Sequence, residues 1–178
     1  MMLSPNDSRS YFSRGIVDAL FGDFARGAAD LRRANEINPN DAQIVRVLSW
    51  IEASEGNVER AKVLAAQAMR MSPKDRFIGI AHLTFAMCAF IEGDLQQLHD
   101  WSVLAIQSQP AAPIRRVLMI AYGVEVGHAA LLRTHLEKLR SVAPDFIPSL
   151  FRGDLRPFHR PEHMTKLLDI LRKAGLDN

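Results

Sequence analysis

The chain holds six histidines and one cysteine, the side chains from which proton shuttles, metal centres and nucleophiles are often built. His159 and His163 stand four apart, a spacing that puts two imidazoles on one helical face and suits a metal ion. Pro161 lies between them, and neither a third histidine nor a cysteine follows nearby. The pair is therefore read as surface histidines at a helix start, and no metal is expected. His128 and His135 are seven apart on one predicted helix, without a neighbouring pair of carboxylates, which favours a structural role. Cys88 sits in the apolar run Phe85-Ala86-Met87-Cys88-Ala89-Phe90-Ile91. A buried, inert thiol is expected there, because a reactive thiolate needs an accessible, electropositive setting. The sequence has no glycine-rich phosphate loop and no G-x-S-x-G turn. These residues predict no catalytic centre, no cofactor and no enzymatic activity.

The elements that carry these side chains recur. An apolar residue, a small polar one, proline, a polar residue and aspartate appear as Leu3-Ser4-Pro5-Asn6-Asp7, Ile37-Asn38-Pro39-Asn40-Asp41 and Met71-Ser72-Pro73-Lys74-Asp75. Weaker copies stand at Ser108-Gln109-Pro110 and Val142-Ala143-Pro144-Asp145, so the proline steps are 34, 34, 37 and 34 residues. Gly22, Gly56, Gly93 and Gly127 keep the same beat, at steps of 34, 37 and 34. Two punctuators in phase define a helix-turn-helix repeat of about 34 residues.

The predicted fold is all-α: a solenoid of about four helix-turn-helix repeats over 8–41, 42–75, 76–112 and 113–146, with a C-terminal loop and capping helix over 147–178. Residues 1–178 are read as a single domain. Asp7, Asp23, Asp41 and Asn57 are predicted helix N-caps, and Asp94 with Gln97 makes a capping box. The three extra residues of the third repeat are placed in a longer first helix, near 76–92, with Gly79 inside it. Pro161 opens a final helix near 162–174, whose Met164, Leu167, Leu168 and Leu171 form one apolar face. Such a helix closes a solenoid with one apolar and one wet side. At the other end, Met2-Leu3-Ser4-Pro5 reads as the tail of a repeat helix whose front is absent. Either a longer polypeptide or self-association accounts for it. The second reading places Tyr11, Phe12, Phe21 and Phe24 under a second subunit.

Composition narrows the function classes. The hydrophobic share is 48% and the charged share 24%, ordinary for a soluble globular chain. No apolar run reaches the roughly 18 residues of a membrane span. The N-terminus has neither the basic flank nor the apolar core of a secretory signal. A cytoplasmic chain without a membrane role is expected. The formal net charge is +2, with −2 over residues 1–110 and +4 over 111–178. The basic excess is small and is not interleaved with stacking aromatics, so no nucleic-acid partner is expected.

The repeat resembles the tetratricopeptide family over about 8–144. The resemblance rests on Gly15, Ala34 and Pro39 in the first copy and on Ala61, Ala68 and Pro73 in the second. It implies a right-handed superhelix whose concave face is lined by the first helix of each pair. Counted from each aspartate, that face takes Phe12, Ile16, Arg46, Trp50 and Ala121, joined by either Thr84 or Met87. The family's carboxylate clamp, a lysine and an asparagine four apart, is replaced by Phe12 and Ile16, then by Arg46 and Trp50. The implied role is a non-catalytic protein- or peptide-binding scaffold whose partner is an amphipathic helix or an apolar peptide carrying a carboxylate. Trp50 would anchor that partner and Arg46 would orient it. Packing of Trp50 between helices, and of Met87 in the core, stand beside that reading. A narrower resemblance covers most of 70–178, in the Ser-Pro-x-Asp phrases, the Pro144-Asp145-Phe146 corner and the ending Leu171-Arg172-Lys173-Ala174-Gly175-Leu176. These look like helical tails of bacterial class III adenylate or guanylate cyclases and winged-helix regulators, which implies a regulatory or dimerising segment.

Overall fold

A computed structural model describes residues 7–176, and the Leu3-Ser4-Pro5 phrase lies outside them. The described residues form helices joined by short turns, with no strand among them. Four antiparallel pairs follow one another. They are α1 (Ser8–Phe21) with α2 (Phe24–Ile37), α3 (Ala42–Ser54) with α4 (Val58–Met71), α5 (Gly79–Glu92) with α6 (Leu95–Ser108), and α7 (Pro113–Glu125) with α8 (Ala129–Val142). A short α9 (Phe146–Arg152) and an amphipathic α10 (Pro161–Lys173) close the chain. Each first helix packs on its own partner, and successive pairs meet through α2 with α3, through α3 and α4 with α5, and through α6 with α7, which is a tetratricopeptide-like α-solenoid.

Local chemistry sets the boundaries. The carboxylates of Asp7, Asp23, Asp41 and Asp94 accept backbone N–H groups from the first turns of α1, α2, α3 and α6. Asn57 makes no such bond; its side-chain amide donates instead to Glu52 Oε2 at 2.8 Å. Gly56, Gly93 and Gly127 turn the chain at φ +76°, +77° and +68°, a region costly for any residue with a Cβ.

The third repeat departs from expectation. Its first helix begins at Gly79, and the three added residues fall in the turn before it. The reason is local. Asp75 accepts the Phe77 N–H at 2.7 Å, and short i→i+3 bonds from Ile78, Ile80 and Ala81 carry the chain round. Gly79 then packs so tightly on α6 that an added Cβ would come within 2.7 Å of Ser108 Cβ.

Two apolar clusters form the core. One joins Phe12, Leu31, Ile44, Leu48 and Leu64 of the first two repeats. The other joins Met87, Phe90, Leu118 and Leu139 to Phe158, Leu167 and Leu171 from the end of the chain. Trp50 touches both. Ion pairs stitch the first helices: Arg14–Asp30 at 2.5 Å, Arg26–Asp18 at 2.7 Å and Arg32–Glu52 at 3.1 Å.

Helix α10 buries Leu167, Ile170 and Leu171 against the array, as a closing helix should. The segment leading into it does more. The His159 backbone N–H donates to Ser54 O at 2.7 Å, Arg160 Nε to Glu55 O at 2.6 Å, and Lys166 Nζ to Phe90 O at 2.6 Å. These oxygens belong to the C-terminal ends of α3 and α5, where helices leave carbonyls without intrahelical partners and carry partial negative charge. The chain's end is thus a brace laid across the ends of successive first helices.

Candidate functional site

The helix starts set the register of the side chains expected on an inner face. Ile16, Trp50, Met87 and Ala121 each stand eight residues after the first residue of α1, α3, α5 and α7. Starting α5 at Gly79 therefore selects Met87 over Thr84 for that row. Thr84 is buried, donating to Ile80 O at 3.0 Å and lying 3.1 Å from Ser49 Oγ.

Most of this row lies beneath other groups. Met87 and Ala121 are fully buried and Phe12 is a core residue, while Ile16 is half-buried. Arg46 is only 3% exposed, and its Nη1 donates to Asp75 Oδ2 at 2.6 Å. Its guanidinium also lies 5.8 Å from the centre of the Phe77 ring. The third-repeat turn thus engages the charge expected to orient a ligand. Only Trp50 and Ile16 of this inner set keep part of their surface open.

The brace adds aromatic contacts of its own. Phe158 stacks on Phe90 with ring centroids 5.1 Å apart, and the His159 imidazole lies parallel to Phe24 at 3.3 Å. His163 meets the edge of Phe158 instead. The two histidines that could share a metal therefore have different partners. His159 is exposed and His163 half-buried, yet partial desolvation holds both imidazoles below the usual histidine range, for His159 with help from Arg156. Among the described residues no group of three or more histidine, cysteine, aspartate or glutamate side chains converges on a point. Cys88 is buried, with Sγ 3.8 Å from Val58 O, and burial pushes its thiol up to about 12.

An open cleft of about 310 Å³ lies between the first repeat and the brace. Leu20, Phe24, Trp50, Ile114, Phe146 and Leu155 give it apolar walls, with Asp154, Arg156 and His159 also lining it. Beside it, α1 exposes Val17, Leu20 and Phe21, the last 86% exposed. Of the aromatic set expected under a second subunit, Phe21 faces solvent and Tyr11 is half-buried. Phe12 belongs to the core, and Phe24 is engaged by His159.

Sequence reasoning missed Leu155, Phe158, His159 and Lys166 as parts of this face. The contacts of Phe158, His159 and Lys166 reach back to Phe90, Phe24 and Ser54 and follow no short-range period. The one available signal was an aromatic, Phe158, in a proline-flanked stretch too short for a helix.

No family model matches the chain, and no curated protein does. Among solved structures it is similar to that described as "Crystal structure of PilW, widely conserved type IV pilus biogenesis factor". The match has a TM-score of 0.66 at 16% identity and covers 98% of this chain and 74% of that one. At this identity the likeness is one of fold.

Proposed function

We propose that this protein is a non-catalytic scaffold that binds a protein or peptide in the cleft floored by Trp50. The observation that carries the reading is a half-buried tryptophan packed on two core clusters and lining a mainly apolar cleft open to solvent. Tryptophan on a preformed surface gives large contact area at little entropic cost, and such sites dominate binding energies. The cleft is small, about 310 Å³, so the fitting partner is a short amphipathic helix or an apolar segment. Trp50 packs on the cluster that holds Phe12 and on the one that holds Met87 and Ala121, while Arg46 is engaged by Asp75. The single-domain reading and a cytoplasmic setting belong to the same proposal. No helix among the described residues is long and apolar enough to cross a membrane.

The test is capture of partners from source-cell lysate by wild type and by Trp50→Ala. Loss of a specific partner, with far-UV circular dichroism and the urea midpoint retained, supports the cleft. Equal capture, or collapse of the fold, assigns Trp50 to packing alone.

A second reading has its own observation. The exposed strip Val17, Leu20 and Phe21 on α1 fits self-association through the first repeat, as a regulatory or dimerising segment would need. Light scattering at micromolar concentration decides it. A dimer that Phe21→Ser dissociates supports the strip, and a monomeric wild type ends the reading.

A further inference from the structure

Buried arginines in this chain are held in two ways. Arg46 is paired with Asp75. Arg115 and Arg116, at the start of α7, are 3% and 7% exposed, and among the described residues neither has a carboxylate within ion-pair distance. Arg115 Nη2 donates to Gln109 Oε1 at 2.6 Å, and Arg116 Nη2 to Pro110 O at 3.0 Å. Both guanidiniums therefore fold back under one corner, the α6–α7 turn, whose Pro110 and Ala111 face solvent. The Nε atoms of both, like that of Arg46, are buried without a protein partner, but here no carboxylate offsets the charge.

The surroundings add positive potential. Ala112 gives α7 no side-chain cap, so the first-turn N–H groups of Ile114 and Arg115 add the positive end of a helix. His135 Nδ1 lies 3.4 Å from Arg116 Nη1, and His82, bonded to Ser108 at 3.0 Å, faces Arg115. Burial, with no compensating acid, holds the Arg115 guanidinium down to about 10. Burial and then the neighbouring arginine also hold each imidazole below its usual range. Two desolvated cations beside an uncapped helix start are costly unless an anion joins them.

We propose that the α6–α7 corner is a binding site for one oxyanion, a carboxylate or a phosphate, received by Arg115, Arg116 and the first-turn N–H groups of α7. Guanidinium forks and helix N-termini both suit such groups. Ile114 belongs to this turn and also lines the Trp50 cleft, so a carboxylate on a cleft-bound partner is one source and a free phosphate the other. The site does not depend on the cleft reading.

The experiment is an amide NMR titration of the full chain with inorganic phosphate and separately with acetate, each at ionic strength matched with chloride. Saturable shifts at residues 109–116, 82 and 135, weakened at least about tenfold in Arg115→Met, support the site. Saturation by acetate below the phosphate concentration points to a partner's carboxylate; the reverse order points to free phosphate. No saturable shift with either anion overturns the proposal, as does an unchanged titration in the variant. If Arg115→Met fails to fold, Arg116→Met replaces it, and the wild-type titration still decides whether an anion binds.

Discussion

Arg46 owes its place to an acid 29 residues further on. On an isolated helix it would face the groove; in the folded chain the third-repeat turn brings Asp75 onto it. Replacing Arg46 by Met keeps the volume and leaves Asp75 with the Phe77 N–H and partial solvent contact. We expect a loss of about 2 kcal/mol, below the 3–5 kcal/mol of a fully buried broken pair because Asp75 is partly exposed, read as a urea midpoint shift. The Phe77 N–H, together with Arg46, holds the Asp75 carboxyl below its ordinary 3.8. Its contribution is therefore complete above that unfolded value and is lost as pH falls through the lower folded one. Asp75→Asn should flatten the acid limb of the stability curve. At this scale the sequence was half legible. Arginine and aspartate stood in plain view, but their pairing depended on where three inserted residues went. The turn was decided by Asp75 capping Phe77 and by the lack of room at Gly79.

Helix pairing in the first repeat rests on a close backbone approach. A Cβ at Gly27 would lie 2.5 Å from Ala19 N and 2.7 Å from Gly15 O, and one at Gly15 would lie 2.8 Å from Leu31 Cγ. Gly15 was legible as a small residue of the repeat pattern. Gly27 was not, because a glycine inside a helix reads first as a local cost. Gly27→Ala should separate α1 from α2 and destabilise the protein by about 1–3 kcal/mol, against a gain near 1 kcal/mol if helix propensity alone mattered. Thermal unfolding of the variant gives the sign. Helices α1, α2, α3, α4 and α6 begin directly after their predicted caps Asp7, Asp23, Asp41, Asn57 and Asp94, because caps, turn glycines and stopping prolines all act within a few residues. The brace was illegible for the opposite reason. Its partners are helix-end carbonyls, which every helix offers alike, so no residue pattern marks which ones will be used.

In the whole molecule, the brace links the first two repeats to the last. Partial desolvation depresses the His159 and His163 imidazoles, so protonation works against their docked positions. Stability from this source is complete above the unfolded value of 6.5 and declines as pH falls through the lower folded values. Amide exchange should therefore quicken at residues 158–166 between about pH 7 and pH 5, with little change in α3. Equal protection across that range would show that the imidazoles stay docked when charged. A stack of repeats has only neighbours to satisfy and can grow one pair at a time. Here the first cluster is complete once Met71 has been synthesised, while the later cluster waits for Phe158 and Leu171. On a ribosome the early half can fold as it emerges. The late half keeps Phe90 without its Phe158 partner until that residue emerges 68 positions later, and that interval is when a chaperone would find it.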